Sequence, residues 1–158
     1  MLKLIGLALL AFVCLACGYD GIKKVRSCAK NTESLLRLVR HIESEIDYKS
    51  PTLREIYESF DDENFNERGV TAILRESGLD RAVDDIASSL DADTLKLMSS
   101  FCAELGTCGR EGQISLCRRT VKDLELISRG LNEEAPKKAK VYLCLSCSVL
   151  LTALIIIV

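Results

Sequence analysis

The stretch ESLLRLVRHIESEIDY, residues 33–48, decides the fold class. Leu35, Leu38, Val39, Ile42 and Ile46 recur at intervals of three and four, with Arg37, Arg40, Glu43 and Asp47 on the other faces. That period matches the 3.6 residues per turn of an α-helix and gathers the apolar side chains on one side. The pattern predicts a helix over residues 22–48. The same rhythm returns downstream. Ser50 and Pro51 suit an N-cap and a first helical residue, and Leu53, Ile56, Tyr57 and Phe60 follow at helical spacing. Residues 61–64, DDEN, read as the connection that ends this helix. A weaker helical region covers residues 70–77 and breaks at Gly78, after which Leu79, Val83, Ile86, Ala87 and Leu90 continue the spacing. Asp91 or Asp93 is placed to cap a helix carrying Leu95, Met98, Phe101, Cys102 and Leu105. Residues 106–112, GTCGREG, read as a loop. The last helix of the middle region runs from Gln113 to Ala135 or beyond. Its stripe is Ile114, Cys117, Val121, Leu124, Ile127 and Leu131, with Arg118, Arg119 and Lys122 on the opposite side. Two prolines and nine glycines supply too few turns for an all-β fold. The expected fold is all-α, a bundle of about five to six helices.

The charges are unevenly distributed. Every acidic residue, and every basic residue except Lys3, lies within residues 20–140. Residues 141–158, VYLCLSCSVLLTALIIIV, are uncharged, and as a helix they reach roughly 27 Å, close to the thickness of a bilayer's hydrocarbon core. Pro136, Lys137, Lys138 and Lys140 precede them as a cationic collar. Residues 4–18, LIGLALLAFVCLACG, are shorter but span a thin bilayer with help from Lys3 and Tyr19. Three fates fit this first segment: a retained helix, a cleaved secretory signal, or a lipoprotein signal acylated at Cys17. The lipoprotein pattern calls for an aliphatic residue where Cys14 stands. The expected layout is a transmembrane helix over 1–19, a helical domain over 20–140, and a second transmembrane helix over 141–158. Lys23, Lys24, Arg26 and Lys30 follow the first apolar run, and Arg129, Lys137, Lys138 and Lys140 precede the second. By the positive-inside tendency this places the middle in the cytoplasm.

Several classes of function are disfavoured. A net charge of −2 lacks the electropositive footprint of a nucleic-acid binder, and the absence of Trp with only eight Tyr and Phe in total removes base-stacking platforms. The glycine-bearing loop is followed by Gln113-Ile114 rather than the Lys-Ser/Thr of a phosphate cradle. Of the eight cysteines, Cys14/Cys17 and Cys144/Cys147 have C-x-x-C spacing but lie in the apolar segments, far from the single histidine, His41. In a cytoplasmic domain Cys28, Cys102, Cys108 and Cys117 stay reduced, and Cys102 and Cys117 serve as core filling. Glu43 and Asp47 sit four apart and read as a solvated face rather than a carboxylate site. With no nucleophile–base set, no metal cluster and no cofactor motif, the expectation is a non-enzymatic protein without a small-molecule substrate.

The order of these residues carries a family likeness. Ile42-Glu43-x-Glu45-Ile46-x-Tyr48, followed by Pro51 and Leu53, resembles the early signature of the stage III sporulation protein AB family. Leu105-Gly106 with Gln113 seven residues on is similar to it as well, as are Lys137, Lys140, Tyr142 and Leu145 leading into an apolar end, and the opening MLKLIG. The sequence departs in placing Pro51 one position early, Gly109 where an acid tends to follow, and Ser146 in place of a glycine. The resemblance implies a mother-cell protein of endospore-forming bacteria, in the complex that spans the two membranes around the forespore. It also implies a cytoplasmic helical domain similar to the platform proteins of type II secretion and type IV pilus systems. The implied partners are membrane lipid, a stage III AA-type ATPase and other channel-complex subunits.

Two faces are candidates for docking that ATPase: the acidic one at Glu43, Glu45 and Asp47, and the basic one at Arg118, Arg119 and Lys122. Two other readings compete with the platform reading. One is a membrane- or lipid-anchored helical binding protein unrelated to sporulation. The other is a membrane-anchored hydrolase, which lacks a recognisable nucleophile–base pair.

Overall fold

The computed structural model describes the backbone of residues 2–49 and 51–157, and the side chains from residue 19 on except those at 50, 135, 138, 139, 142, 143, 145–147 and 149–158. All regular structure among the described residues is helical. Seven α-helices follow in order: α1 (Leu2–Tyr48), α2 (Leu53–Ser59), α3 (Glu63–Glu67), α4 (Val70–Ser77), α5 (Leu79–Ile86), α6 (Ala92–Glu104) and α7 (Arg110–Ile157), with a 3-10 turn at Ala87–Ser89. The chain forms two compact units, one of Met1–Arg26 with Asn132–Val158, the other of Ser27–Leu131.

The first apolar run belongs to α1 and the second to α7. Among the described residues no helix is long and apolar enough to cross a membrane. The expected spans over 1–19 and 141–158 fall largely on side chains outside the described set. Pro136 lies inside α7, where it supplies no backbone N–H to the helix ladder.

In the unit of Ser27–Leu131, α1 is the hub. Between residues 31 and 39, Asn31, Thr32, Ser34, Leu35, Leu36, Leu38 and Val39 are buried, and only Glu33 and Arg37 are exposed. At 100° per residue the buried positions cover an arc of roughly 200°. The core joins Leu35, Leu38, Val39 and Ile42 of α1 to Ile56, Phe65, Leu74, Val83, Met98, Phe101 and Leu124. The sequence stripe of α1 is therefore confirmed but is only part of the buried surface.

Local chemistry corrects several element boundaries. The cap of α2 is Thr52, not Ser50, which lies outside the described residues. The Thr52 hydroxyl accepts from the Glu55 N–H at 3.4 Å, and the Glu55 carboxylate accepts from the Thr52 N–H at 2.8 Å, a reciprocal capping box. Pro51 accordingly precedes the cap. The acidic connection hides α3: Asp62 accepts from the Phe65 N–H at 3.1 Å and starts a short helix. Asp91 caps α6. Helix α7 begins three residues ahead of Gln113, at Arg110, so the expected loop over 106–112 is shorter. Gly106, at φ 84, takes the left-handed backbone just after α6 that favours glycine.

Candidate functional site

Three of the candidate docking residues, Glu43, Asp47 and Arg118, sit along the meeting line of α1 and α7. Glu43 and Arg118 are 75 positions apart, yet the Arg118 Nε donates to Glu43 Oε1 at 2.9 Å. One turn on, Arg110 donates to the Ile46 carbonyl at 3.0 Å and to the Asp47 carbonyl, with the Asp47 carboxylate 3.8 Å away. One turn back, Arg40 pairs with Glu125. The two faces, expected as alternatives, thus meet at Glu43 and Arg118, within a charged seam that Arg110–Asp47 and Arg40–Glu125 extend. Arg119 turns aside to Glu104 at 3.3 Å. Lys122 is exposed and Glu45 half-buried. Neither Lys122 nor Arg129 has an ion-pair partner among the described residues. Glu43 and Asp47 are engaged by α7 rather than forming a carboxylate pair.

A second polar constellation was not legible from the pattern. Asp62 is buried, 6% exposed, and accepts from the Ser34 hydroxyl and the Arg37 Nε, each at 2.8 Å. Asn64 donates to Asn31 Oδ1 and Ser34 Oγ, each at 3.1 Å. Arg68 donates to Ser27 Oγ at 2.7 Å, Asn31 Oδ1 at 2.8 Å and Ser89 Oγ at 3.2 Å. These contacts tie α3 and the 3-10 turn to α1. A buried carboxylate needs such partners, because desolvation otherwise drives it to neutralise. Beside them lies a cleft of about 290 Å³ lined by Lys30, Glu33, Arg37, Glu63, Asn64 and Glu67. Its lining is charged and polar throughout, whereas small-ligand pockets are built mainly from apolar walls.

The model of the family described as stage III sporulation protein AB matches residues 3–158 of this chain. The chain belongs to the stage III sporulation protein AB family. Comparison with curated proteins and with solved structures returned no match. The family sets a sporulation-related role, and the alternative of a binding protein unrelated to sporulation gives way to it.

In this member of the stage III sporulation protein AB family, two arrangements touch on chemistry. His41 Nε2 lies 2.9 Å from Ser59 Oγ, a contact absent from the sequence reading because it joins α1 to α2. Ser59 donates its proton to the Ile56 carbonyl at 2.9 Å, so its oxygen accepts from His41 instead of being activated by it. The ring of His41 packs on Phe60 at a centroid distance of 5.5 Å. The pair ties the last turn of α2 to α1. Two of the thiols, those of Cys102 and Cys117, behave as packing groups. Cys117 is buried and Cys102 half-buried against the core. Burial, with the Asp80 carboxylate beside it accepting the thiol's hydrogen bond, pushes Cys102 up to about 12. Burial and the nearby Glu43 push Cys117 up to about 11. Burial, then Cys102, Asp80 and Cys117, raise the Tyr57 phenol to about 12. A thiol that resists ionisation is a poor nucleophile and a poor metal ligand. Among the described residues no group of three or more His, Cys, Asp or Glu is placed to hold a metal ion. Cys14, Cys17 and Cys147 lie outside the described side chains.

Proposed function

We propose that this chain is a membrane-anchored platform subunit of the mother cell–forespore channel complex, which docks the stage III AA-type ATPase through the basic face of α7. Anchoring is supported by the two uncharged runs at residues 4–18 and 141–158, each with lysines and arginines on the side leading into the domain. In this reading those runs are the transmembrane helices, the domain over 20–140 is cytoplasmic, and the membrane is that of the mother cell facing the forespore. The docking choice rests on one observation: Glu43 and Asp47 of α1 are already answered by Arg118 and Arg110 of α7, while Lys122 and Arg129 stand exposed without an acidic counterpart among the described residues. Exposed unpaired cations attract an acidic partner surface and speed its association.

The test is capture of the purified ATPase by the full chain in mild detergent. Replacing Arg118, Arg119 and Lys122 together by Glu is expected to cut binding at least tenfold, on the order of what several reversed rim charges cost. Glu43→Gln removes the Arg118 ion pair but leaves α7 basic, and it should bind as well as or better than the parent. Undiminished capture by the triple variant would eliminate this face. Helical content by circular dichroism controls for unfolding.

A further inference from the structure

We infer that the basic bands flanking the apolar segments form a collar for the phosphate of anionic glycerophospholipid headgroups; this rests on the membrane-anchored reading above. Lys23, Lys24 and Arg26 on α1 and Lys137 and Lys140 on α7 all belong to the unit of Met1–Arg26 with Asn132–Val158. All five are exposed. None has an ion-pair partner among the described residues, although Asp20, Glu133 and Glu134 lie in the same stretches of chain. Such cations remain free to meet an external anion.

Their surroundings single out a lipid surface over a soluble anion or an acidic protein. In chain order Lys140 abuts the uncharged run of residues 141–158, and Lys23 follows the run of residues 4–18 after a short stretch that includes Asp20. A large apolar side chain stands bare near each band: Tyr19, four residues before Lys23, is 69% exposed, and Val141, next to Lys140, is 56% exposed. An exposed tyrosine with its apolar ring and polar tip suits the headgroup level, and lysine stems lie along the acyl boundary with their ammonium groups at the phosphates. A juxtamembrane cluster of four to eight bases is the pattern that concentrates anionic lipid, with about a fivefold gain per base near a charged surface.

The experiment reconstitutes the full chain in phosphatidylcholine vesicles carrying a trace of spin-labelled phosphatidylglycerol or, in parallel, spin-labelled phosphatidylcholine, and compares the motionally restricted fraction of each. The labelled phosphatidylglycerol is expected to be enriched severalfold, with the preference fading in 0.5 M salt. K23Q/K24Q/R26Q/K137Q/K140Q should bring the ratio close to one. Equal restriction of the two labels by the parent chain, or an undiminished preference in the variant, would overturn the collar. The salt series on the parent chain decides the matter if the variant does not insert. Flotation after alkaline carbonate treatment separates the failures: a chain that leaves the vesicles refutes anchoring itself, whereas one that floats without lipid preference refutes only the collar.

Discussion

Helices α1 and α7 are nearly equal in length, yet they are built for different tasks. Over residues 31–39, α1 is enclosed by other helices across roughly 200° of its circumference, and three of the buried side chains there, Asn31, Thr32 and Ser34, are polar. Over residues 116–128, α7 buries Leu116, Cys117, Thr120, Leu124 and Ser128, an arc of only about 120°. The rest of that surface presents Arg118, Arg119, Lys122, Leu126 and Arg129 outward. A hub helix sacrifices its surface to the fold, whereas a flanking helix leaves a face exposed. This contrast is why α7 rather than α1 carries the docking proposal.

The largest effect expected from breaking this contrast is at the hub. Leu38 is fully buried, and Leu38→Ala should cost about 3–5 kcal/mol in urea unfolding of the full chain in detergent, through lost transfer energy and a residual cavity. Leu126, 69% exposed on α7, is its counterpart, and Leu126→Ala should change stability by no more than about 0.5 kcal/mol. Comparable losses at the two sites would erase the distinction between hub and flank.

Asp62 sharpens the hub side. Asp62→Ala removes the cap of α3 and leaves Ser34 and Arg37 without their acceptor, so a loss of about 2–3 kcal/mol is expected by the same measurement. A change under about 0.5 kcal/mol would mean the buried polar constellation contributes nothing net.

The half-buried thiol gives a pH test. The raised value of Cys102 means the folded chain keeps its proton where the unfolded chain has lost it. Its contribution is fully present below about pH 9 and is lost as pH rises from there toward about 12. Stability should fall through that window, and Cys102→Ser should flatten the fall. Identical alkaline profiles for parent and variant would exclude the cause. Cys117 and Tyr57, also raised chiefly by burial, set a residual slope in both.

The smallest effect belongs to the seam. The Glu43–Arg118 pair is partly exposed, and its coupling in a double-mutant cycle with Glu43→Gln and Arg118→Gln should be about 0.3–1 kcal/mol. A coupling above about 2 kcal/mol would make the seam a fold determinant and weaken the case that α7 is free to face a partner.

Much of this fold was legible in the sequence where the signal is local. The stripe of Leu35, Leu38, Val39, Ile42 and Ile46 lies in the core, as does that of Leu79, Val83 and Ile86. The α7 stripe had the right direction but ran too far. Ile127 and Leu131 share the buried angle of Leu124 and are only half-buried, because the buried core of this unit stops near Ser128. Helix α3 was hidden because DDEN reads as a polar connection, and only the Ser34 and Arg37 partners explain why Asp62 is inside. Buried Asn31 and Thr32 were missed for the same reason. Apolar periodicity registers no polar residue whose burial is justified by a partner elsewhere, such as Arg68 for Asn31 or Thr94 for Thr32.

By itself the sequence determined an all-helical chain, the helical registers of its apolar stripes, and the segregation of charge away from both ends, since each is a property of neighbours within a few turns. Tertiary structure alone decided that α1 lies at the centre, that Glu43 meets Arg118 across 75 positions, and that Lys122 remains outward. Periodicity fixes the angle at which a side chain leaves its own helix, but which helix stands opposite is settled by the packing of the whole unit.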